Sequence, residues 1–303
     1  MTETIIEARG LRKSYGNFEA LRGIDLTVRR GEVFCLLGPN GAGKTTTVEI
    51  LEGHRTYDGG EVSVLGFDPA TSGRGLRARI GIVLQNAGVE RFLTVEEVIE
   101  LFRAYYPHPR PLVELLRIVG LEDKRRSLVR RLSGGQVRRL DMALALAGDP
   151  DLLFLDEPTS GFDPEARRGA WEMIAGLRDL GKTVLLTTHY MEEAERLSDR
   201  LAVIVEGRIV AEGTVESLRR GQAATVISFR NPPTELPEAL RTSAHVENGR
   251  LMVETDNPTP LLHQLTGWAV SAGIELEELR VASTSLEDIY LKLVGRAAES
   301  ATP

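Results

Sequence analysis

The stretch "GPNGAGKTT" at residues 38–46, set directly behind the apolar run "VFCLL", constrains this chain more than any other feature. Glycine, four residues, then glycine, lysine and threonine is the pattern of a phosphate loop, and it requires a buried strand before it and a helix after it. Gly41 and Gly43 let the backbone curl so that successive amides face an anion at the helix start, with Gly38, Pro39, Asn40, Ala42 and Thr46 completing the turn. Lys44 is placed to neutralise the outer phosphates and Thr45 to ligate a divalent cation.

The rest of the chain is organised around that unit. "RIGIVLQ", "DLLFLDE" and "TVLLTTH" are short apolar runs separated by helical stretches, the signature of buried parallel strands in an α/β layer. Residues 4–33 read instead as strands and turns, and "RLAVIVEGRIVAEGT" as a hairpin turning at Glu206 and Gly207. Between Gln85 and Ser133 the period is helical. Thr94 is an N-cap with Glu97 three residues on, Val95, Val98, Ile99 and Phe102 form one face, and the pattern breaks at "YYPHPRP" before "LVELLRIVGL". After residue 221 a small α+β unit begins: a strand "ATVISF", a helix "ELPEAL", strands in "HVENGRLMVET", a helix at 260–272, a strand "IELEELRVA" and a last helix "SLEDIYLKLVG", followed by the frayed tail "AAESATP".

Polar residues at the exits of the apolar strands are the candidate chemistry. Open α/β sheets bind ligands at the carboxyl ends of their strands. There "DLLFLDEP" places Asp156, suited to a metal, and Glu157, suited to activate a water, while Gln85 and His189 each follow an apolar strand. "LSGGQ" at 132–136 is a second glycine turn. Ser133 with Gln136 makes a capping box, and the amides of Gly134 and Gly135 at a helix start make a second anion site. Since the first loop already has a full cradle, the second turn serves a phosphate held elsewhere, most simply by another copy of the chain.

Composition narrows the setting. Net charge is −7, which gives no general attraction for nucleic acid. Cys35 is the only cysteine and sits in an apolar run, so disulfides are excluded, as suits the cytoplasm. No stretch approaches the roughly 20 apolar residues of a membrane span, so at a membrane another chain must do the crossing.

"GPNGAGKT", Gln85, "LSGGQ", "LLFLDEP", "SGFD" and His189, in that order, resemble the nucleotide-binding subunit of ATP-binding cassette (ABC) transporters. The resemblance implies a β-subdomain, a RecA-like α/β core and a helical subdomain at about 88–150 within a nucleotide-binding domain of residues 1–221, and an accessory domain at 222–303. It also implies ATP and Mg²⁺ as cofactors, with Tyr15 stacked on adenine and Thr45, Gln85 and Asp156 at the metal. Glu157, His189 and Lys44 would be catalytic, and two chains would enclose two ATP molecules between the phosphate loop of one and Ser133–Gln136 of the other. Asp163 would reach across that dimer. Phe162 departs from the leucine usual in the family, which suggests a packing change at the interface. "STSLEDIYLKLVG" and the run from "LSGGQ" to "SGFDP" are similar to the daunorubicin-resistance type of drug exporter. That implies antibiotic efflux through a separate permease, from the inner face of the cell membrane. Related subunits serve lipid, polysaccharide and ion exporters. A chromosome-organising ATPase would need a long coiled coil between the phosphate loop and "LSGGQ", where fewer than one hundred residues lie. A translation-associated ATPase would hold two cassettes in one chain.

Overall fold

Val33–Leu37, the strand β3 that precedes the phosphate loop, is buried at every residue, so it must be flanked by strands on both edges and covered on both faces. A computed structural model of the chain describes residues 3–83, 88, 90–219, 225–230, 244–247, 249–283, 285–291 and 293. It divides into two compact units, one ending at Thr214 and one beginning at Val215.

In the first unit, β1 (Thr4–Tyr15), β2 (Phe18–Arg29) and β4 (Gly59–Val64) form an antiparallel sheet of order β2-β1-β4. The main sheet has the order β5-β6-β7-β3-β8-β9, from β5 (Ile80–Val83), β6 (Leu152–Asp156), β7 (Thr183–Thr188), β8 (Arg200–Val205) and β9 (Arg208–Gly213). All but β9 run parallel. β9 returns antiparallel through Glu206 and Gly207, both at positive φ, as a tight hairpin turn of this twist requires. Helix α1 (Lys44–Leu51) follows the phosphate loop. One apolar cluster joins Ile6, Leu11, Ile24 and Leu26 of the antiparallel sheet to Val48 and Leu51 of α1 and to Phe154, Leu185 and Ile204 of the main sheet.

The helical insert begins with α3 (Val95–Arg103), capped by Thr94 and Glu97 in a reciprocal capping box, after the short α2 (Gly73–Arg77). Val95, Val98 and Ile99 are buried, whereas Phe102, on the same helical face, is 38 % exposed. α4 (Leu112–Val119) buries Leu112, Leu115, Leu116 and Val119 and stops at Gly120 in the left-handed region. α5 (Gly134–Leu146), α6 (Pro164–Asp179) and α7 (Met191–Leu197) follow, and Leu140 and Leu144 of α5 are buried together with its C-cap, Ala147.

The second unit holds α8 (Val215–Arg219) and an antiparallel sheet of order β11-β12-β10-β13, made by β10 (Thr225–Arg230), β11 (Ala244–Glu247), β12 (Arg250–Thr255) and β13 (Arg280–Ser283). Ile227, Phe229, Leu251 and Val253 cluster with Leu265 of the helix Pro258–Ala272. Residues 286–291 are helical, started by Ser285, whose hydroxyl accepts the Asp288 amide. The strand expected over "IELEELRVA" is shorter than its apolar alternation suggests. Glu278 sits at φ +49, its carboxylate binds Arg230 and Arg250, and the carbonyl of Glu277 accepts the Arg230 amide, so the segment turns before β13 begins. The expected helix "ELPEAL" and the tail lie outside the described residues. Among the described residues no helix is long and apolar enough to cross a membrane.

Candidate functional site

The register of the main sheet brings three strand ends together. Leu37 of β3 lies beside Thr188 of β7, and Asp156 of β6 beside Thr187. The loops that leave β3, β6 and β7 therefore emerge side by side, and they carry Lys44, Glu157 and His189. β5 ends at the same edge, with Val83 beside Leu155; Gln85, two residues further on, lies outside the described residues.

The phosphate loop follows from its glycines. A Cβ on Gly38 would meet the Ile204 carbonyl oxygen at 2.3 Å, so the turn can press against β8 only without a side chain. Gly43 stands at φ +107 and caps α1 with no side chain, leaving the first amides of the helix bare. Lys44 is buried. Its Nζ donates to the carbonyls of Gly38 at 2.8 Å and Pro39 at 3.1 Å, which fixes the ammonium inside the curl of the loop. Ala42 is buried beneath the loop, and its carbonyl accepts the Gly207 amide.

Glu157 is at φ +45, a left-handed conformation disfavoured for a residue with a side chain. β7 holds it there: the Glu157 amide meets the Thr187 carbonyl at 3.2 Å and the Thr187 hydroxyl oxygen at 3.1 Å. The kink turns the carboxylate into the cleft, where Oε1 is 3.4 Å from Lys44 Nζ and 3.2 Å from His189 Nδ1. A lysine ammonium and an imidazole thus share one carboxylate oxygen. Asp156, one residue earlier, accepts the Thr187 hydroxyl at 2.5 Å and lies 3.4 Å from Thr45 Oγ1. The facing hydroxyl and carboxylate are hard oxygen donors. That set suits Mg²⁺, which takes few protein ligands when phosphate oxygens supply the rest.

Tyr15, Asn40, Gly41, Gly43, Lys44, Thr45, Thr46, Asp156, Glu157 and His189 line one open cavity of about 660 Å³. Tyr15 is 41 % exposed at its rim, with the Arg55 guanidinium 5.3 Å and Lys13 Nζ 5.8 Å from the ring centre. Phe18 lines the cavity and the buried Thr187 braces it from beneath, and neither stands out in the sequence. Phe18 is the cross-strand partner of Tyr15 in the hairpin, a register that only the turn at Gly16 and Asn17 could have signalled. Thr187 holds both carboxylate residues, and its one sequence mark is a hydroxyl at the end of an apolar strand.

Ser133, Gly134, Gly135 and Gln136 stand elsewhere. With Arg139, Phe162, Asp163 and neighbours they line a separate cavity of about 580 Å³. Ser133 and Gln136 cap each other, the Ser133 amide donating to Gln136 Oε1 at 3.0 Å and the Gln136 amide to Ser133 Oγ at 3.3 Å. Asp163 caps α6 by accepting the Ala166 amide. Among the described residues, Ser160 alone lines both cavities. In one chain the two glycine turns do not face the same ligand.

A family model described as "ABC transporter" matches residues 21–160, and one described as the C-terminal domain of ABC transporter domain-containing proteins matches residues 225–285. The chain is 40 % identical to the Nod factor export ATP-binding protein I of Rhizobium sp. (strain N33), over 99 % of this chain and all of that one. It is 38 % identical to a daunorubicin resistance ATP-binding protein of Streptomyces coeruleorubidus, over 97 % of each. Among solved structures, the ATP-binding subunit of an ABC transporter is 30 % identical, with TM-score 0.64, covering 71 % of this chain and 92 % of that one. A dimeric cassette in a post-hydrolysis state, bound to ADP and Pi, is 26 % identical with TM-score 0.61, covering 69 % and 98 %.

Proposed function

The chain belongs to the ATP-binding subunits of ABC transporters, and from that premise we propose that it powers an exporter by closing with a second copy around two MgATP and reopening on hydrolysis. It is an ATPase. The observation that carries the mechanism is the meeting of Lys44 and His189 on one oxygen of Glu157, with Asp156 and Thr45 facing each other alongside.

In this reading Lys44 and the bare amides after Gly43 bind the outer phosphates, and Tyr15 stacks on the base. Gly38 to Thr46 form the cradle. Thr45, Asp156 and Gln85 would hold Mg²⁺, which would supply positive charge to the phosphates. Glu157 accepts the proton of the attacking water, and His189 keeps that carboxylate and the γ-phosphate in line; most of the acceleration comes from positioning and fixed charge. Ser133, Gly134, Gly135 and Gln136 of the partner supply the opposite wall, and Asp163 stands at the junction. Replacing Glu157 by Gln is expected to lower turnover by at least about a hundredfold while sparing ATP binding. Near-normal hydrolysis by that variant contradicts the assignment.

The domain reading that accompanies this is a nucleotide-binding domain at 1–221, whose helical subdomain at about 88–150 meets the permease, and an accessory domain at 222–303. Support for the docking face is physical: Leu101, Phe102 and Tyr105 are exposed around the end of α3, Phe102 and Tyr105 pack edge to face, and Tyr105 and Tyr106 border a groove with Arg74 and Arg77. The work is done at the cytoplasmic face of the cell membrane, with a separate membrane-crossing chain choosing the cargo. Drug efflux is favoured by the daunorubicin resistance relative and by the C-terminal sequence; the Nod factor export relatives favour a second cargo. Expression with the adjacent permease separates them. A Glu157-dependent fall in daunorubicin sensitivity supports drug efflux, and unchanged sensitivity sets it aside.

A further inference from the structure

We propose that Glu193 and Thr159 are positioning residues for hydrolysis: a buried hydrogen-bonded node that holds the loop carrying Glu157 between the helix of the second glycine turn and the helix that follows His189. The proposal rests on the assignment of Glu157 and His189 above. Glu193 lies on α7, four residues after His189, and is fully buried. Its Oε1 accepts the Thr159 hydroxyl at 2.7 Å and Trp171 Nε1 at 3.0 Å, while Oε2 has no hydrogen-bond partner among the described residues. Thr159 is likewise fully buried, two residues after Glu157. From the other side, Arg138 of α5, two residues after Gln136, donates from Nε to the Pro158 carbonyl at 3.2 Å.

Residues 158 and 159 are therefore held from opposite sides. Pro158 is tied to α5, whose first turn is Ser133–Gln136, and Thr159 to α7, which continues from His189; Ser160 then lines both cavities. A buried carboxylate is an expensive way to satisfy one hydroxyl and one indole, since desolvation is offset only by strong, well-directed partners. Across the loop, burial holds the Arg138 guanidinium below its ordinary range, and the nearby Asp141, Asp156 and Glu193 oppose that only in part. Glu157 itself sits at φ +45 and has every reason to relax if the loop is released. A displacement of about 1 Å at the base lowers rate steeply without touching the groups that bind nucleotide.

Steady-state ATP hydrolysis by the full chain tests this, with melting temperatures measured alongside and Glu157→Gln as the reference for a lost base. Glu193→Leu removes the acceptor, Thr159→Val removes one donor at nearly constant shape, and Glu193→Gln keeps an oxygen for both donors. Glu193→Leu and Thr159→Val are expected to lower kcat by about tenfold or more with KM for ATP within about twofold, and Glu193→Gln to recover kcat to within about threefold of the parent. Should Glu193→Leu fail to fold, Thr159→Val carries the same expectation. Parental kcat in Thr159→Val and Glu193→Leu overturns the node, as does a Glu193→Gln loss equal to that of Glu193→Leu. Full turnover in Glu157→Gln instead overturns the underlying assignment.

Discussion

Two helices of this chain begin at glycine turns, and they begin differently. α1 starts from Gly43 in the left-handed region with no side-chain cap, and around its first turn stand Lys44, Thr45, Asp156, Glu157 and His189. α5 starts from Ser133 in a closed capping box, and among the described residues the cavity it faces has neither a lysine nor a histidine. Both starts have the field and the amides to hold an anion. Only the first sets a lysine and a histidine on one carboxylate oxygen, with a hydroxyl and a second carboxylate facing each other alongside. The difference favours the proposed reading, in which the second turn walls a phosphate held by another copy of the chain and its reciprocal cap fixes the shape of that wall.

The largest effect that would sharpen the contrast is at Lys44. Lys44→Ala removes the buried ammonium that bridges the loop carbonyls and Glu157, and ATP turnover is expected to fall by at least about a hundredfold, with binding weakened as well. Equal turnover would mean that the first turn is not the chemical one. Ser133→Ala is expected to act more gently: losing the cap removes about 1 kcal/mol, read as a fall in Tm of roughly 2–4 °C, while ATP affinity of the single chain stays unchanged. A large drop in that affinity would place both turns on one nucleotide and break the comparison.

The smallest effect concerns the far end of α1. Glu52 is buried there, with His54 Nδ1 3.1 Å from one oxygen and no hydrogen bond to the other among the described residues. Burial first, then the nearby Asp156 and Glu49, push its carboxyl up to about 8 from 4.5. The folded chain keeps a proton that the unfolded chain releases, so this contribution is whole below about pH 4.5 and is lost as pH rises through about 8. Glu52→Gln is expected to flatten the decline of Tm across that window; an unchanged slope contradicts the burial argument.

Much of this was legible in the residues. The strand, loop and helix around Lys44 follow from "VFCLLGPNGAGKTT", and the capping boxes at Thr94 and Ser133 from a hydroxyl and an amide or carboxylate three residues apart. What could not be read is set by register and by long-range partners. Which cavity Ser133 faces depends on where α5 packs. The kink at Glu157 depends on Thr187, thirty residues away in sequence. "IELEEL" alternates like a strand, yet the arginines gathered on Glu278 spend it on a turn. Phe102 keeps the helical period and still points outward, because the buried face of α3 narrows after Ile99.

The central claim is that a complete site takes the first turn of one chain and the second turn of another. Gly135 has room for a side chain, its nearest contact from an added Cβ being Ala166 at 3.8 Å, so Gly135→Glu places a carboxylate in the second turn without disturbing the first. Light scattering on Glu157→Gln with MgATP is predicted to report a dimer, and on Glu157→Gln/Gly135→Glu a monomer that still binds ATP. A dimer of undiminished stability in the double variant would contradict the account.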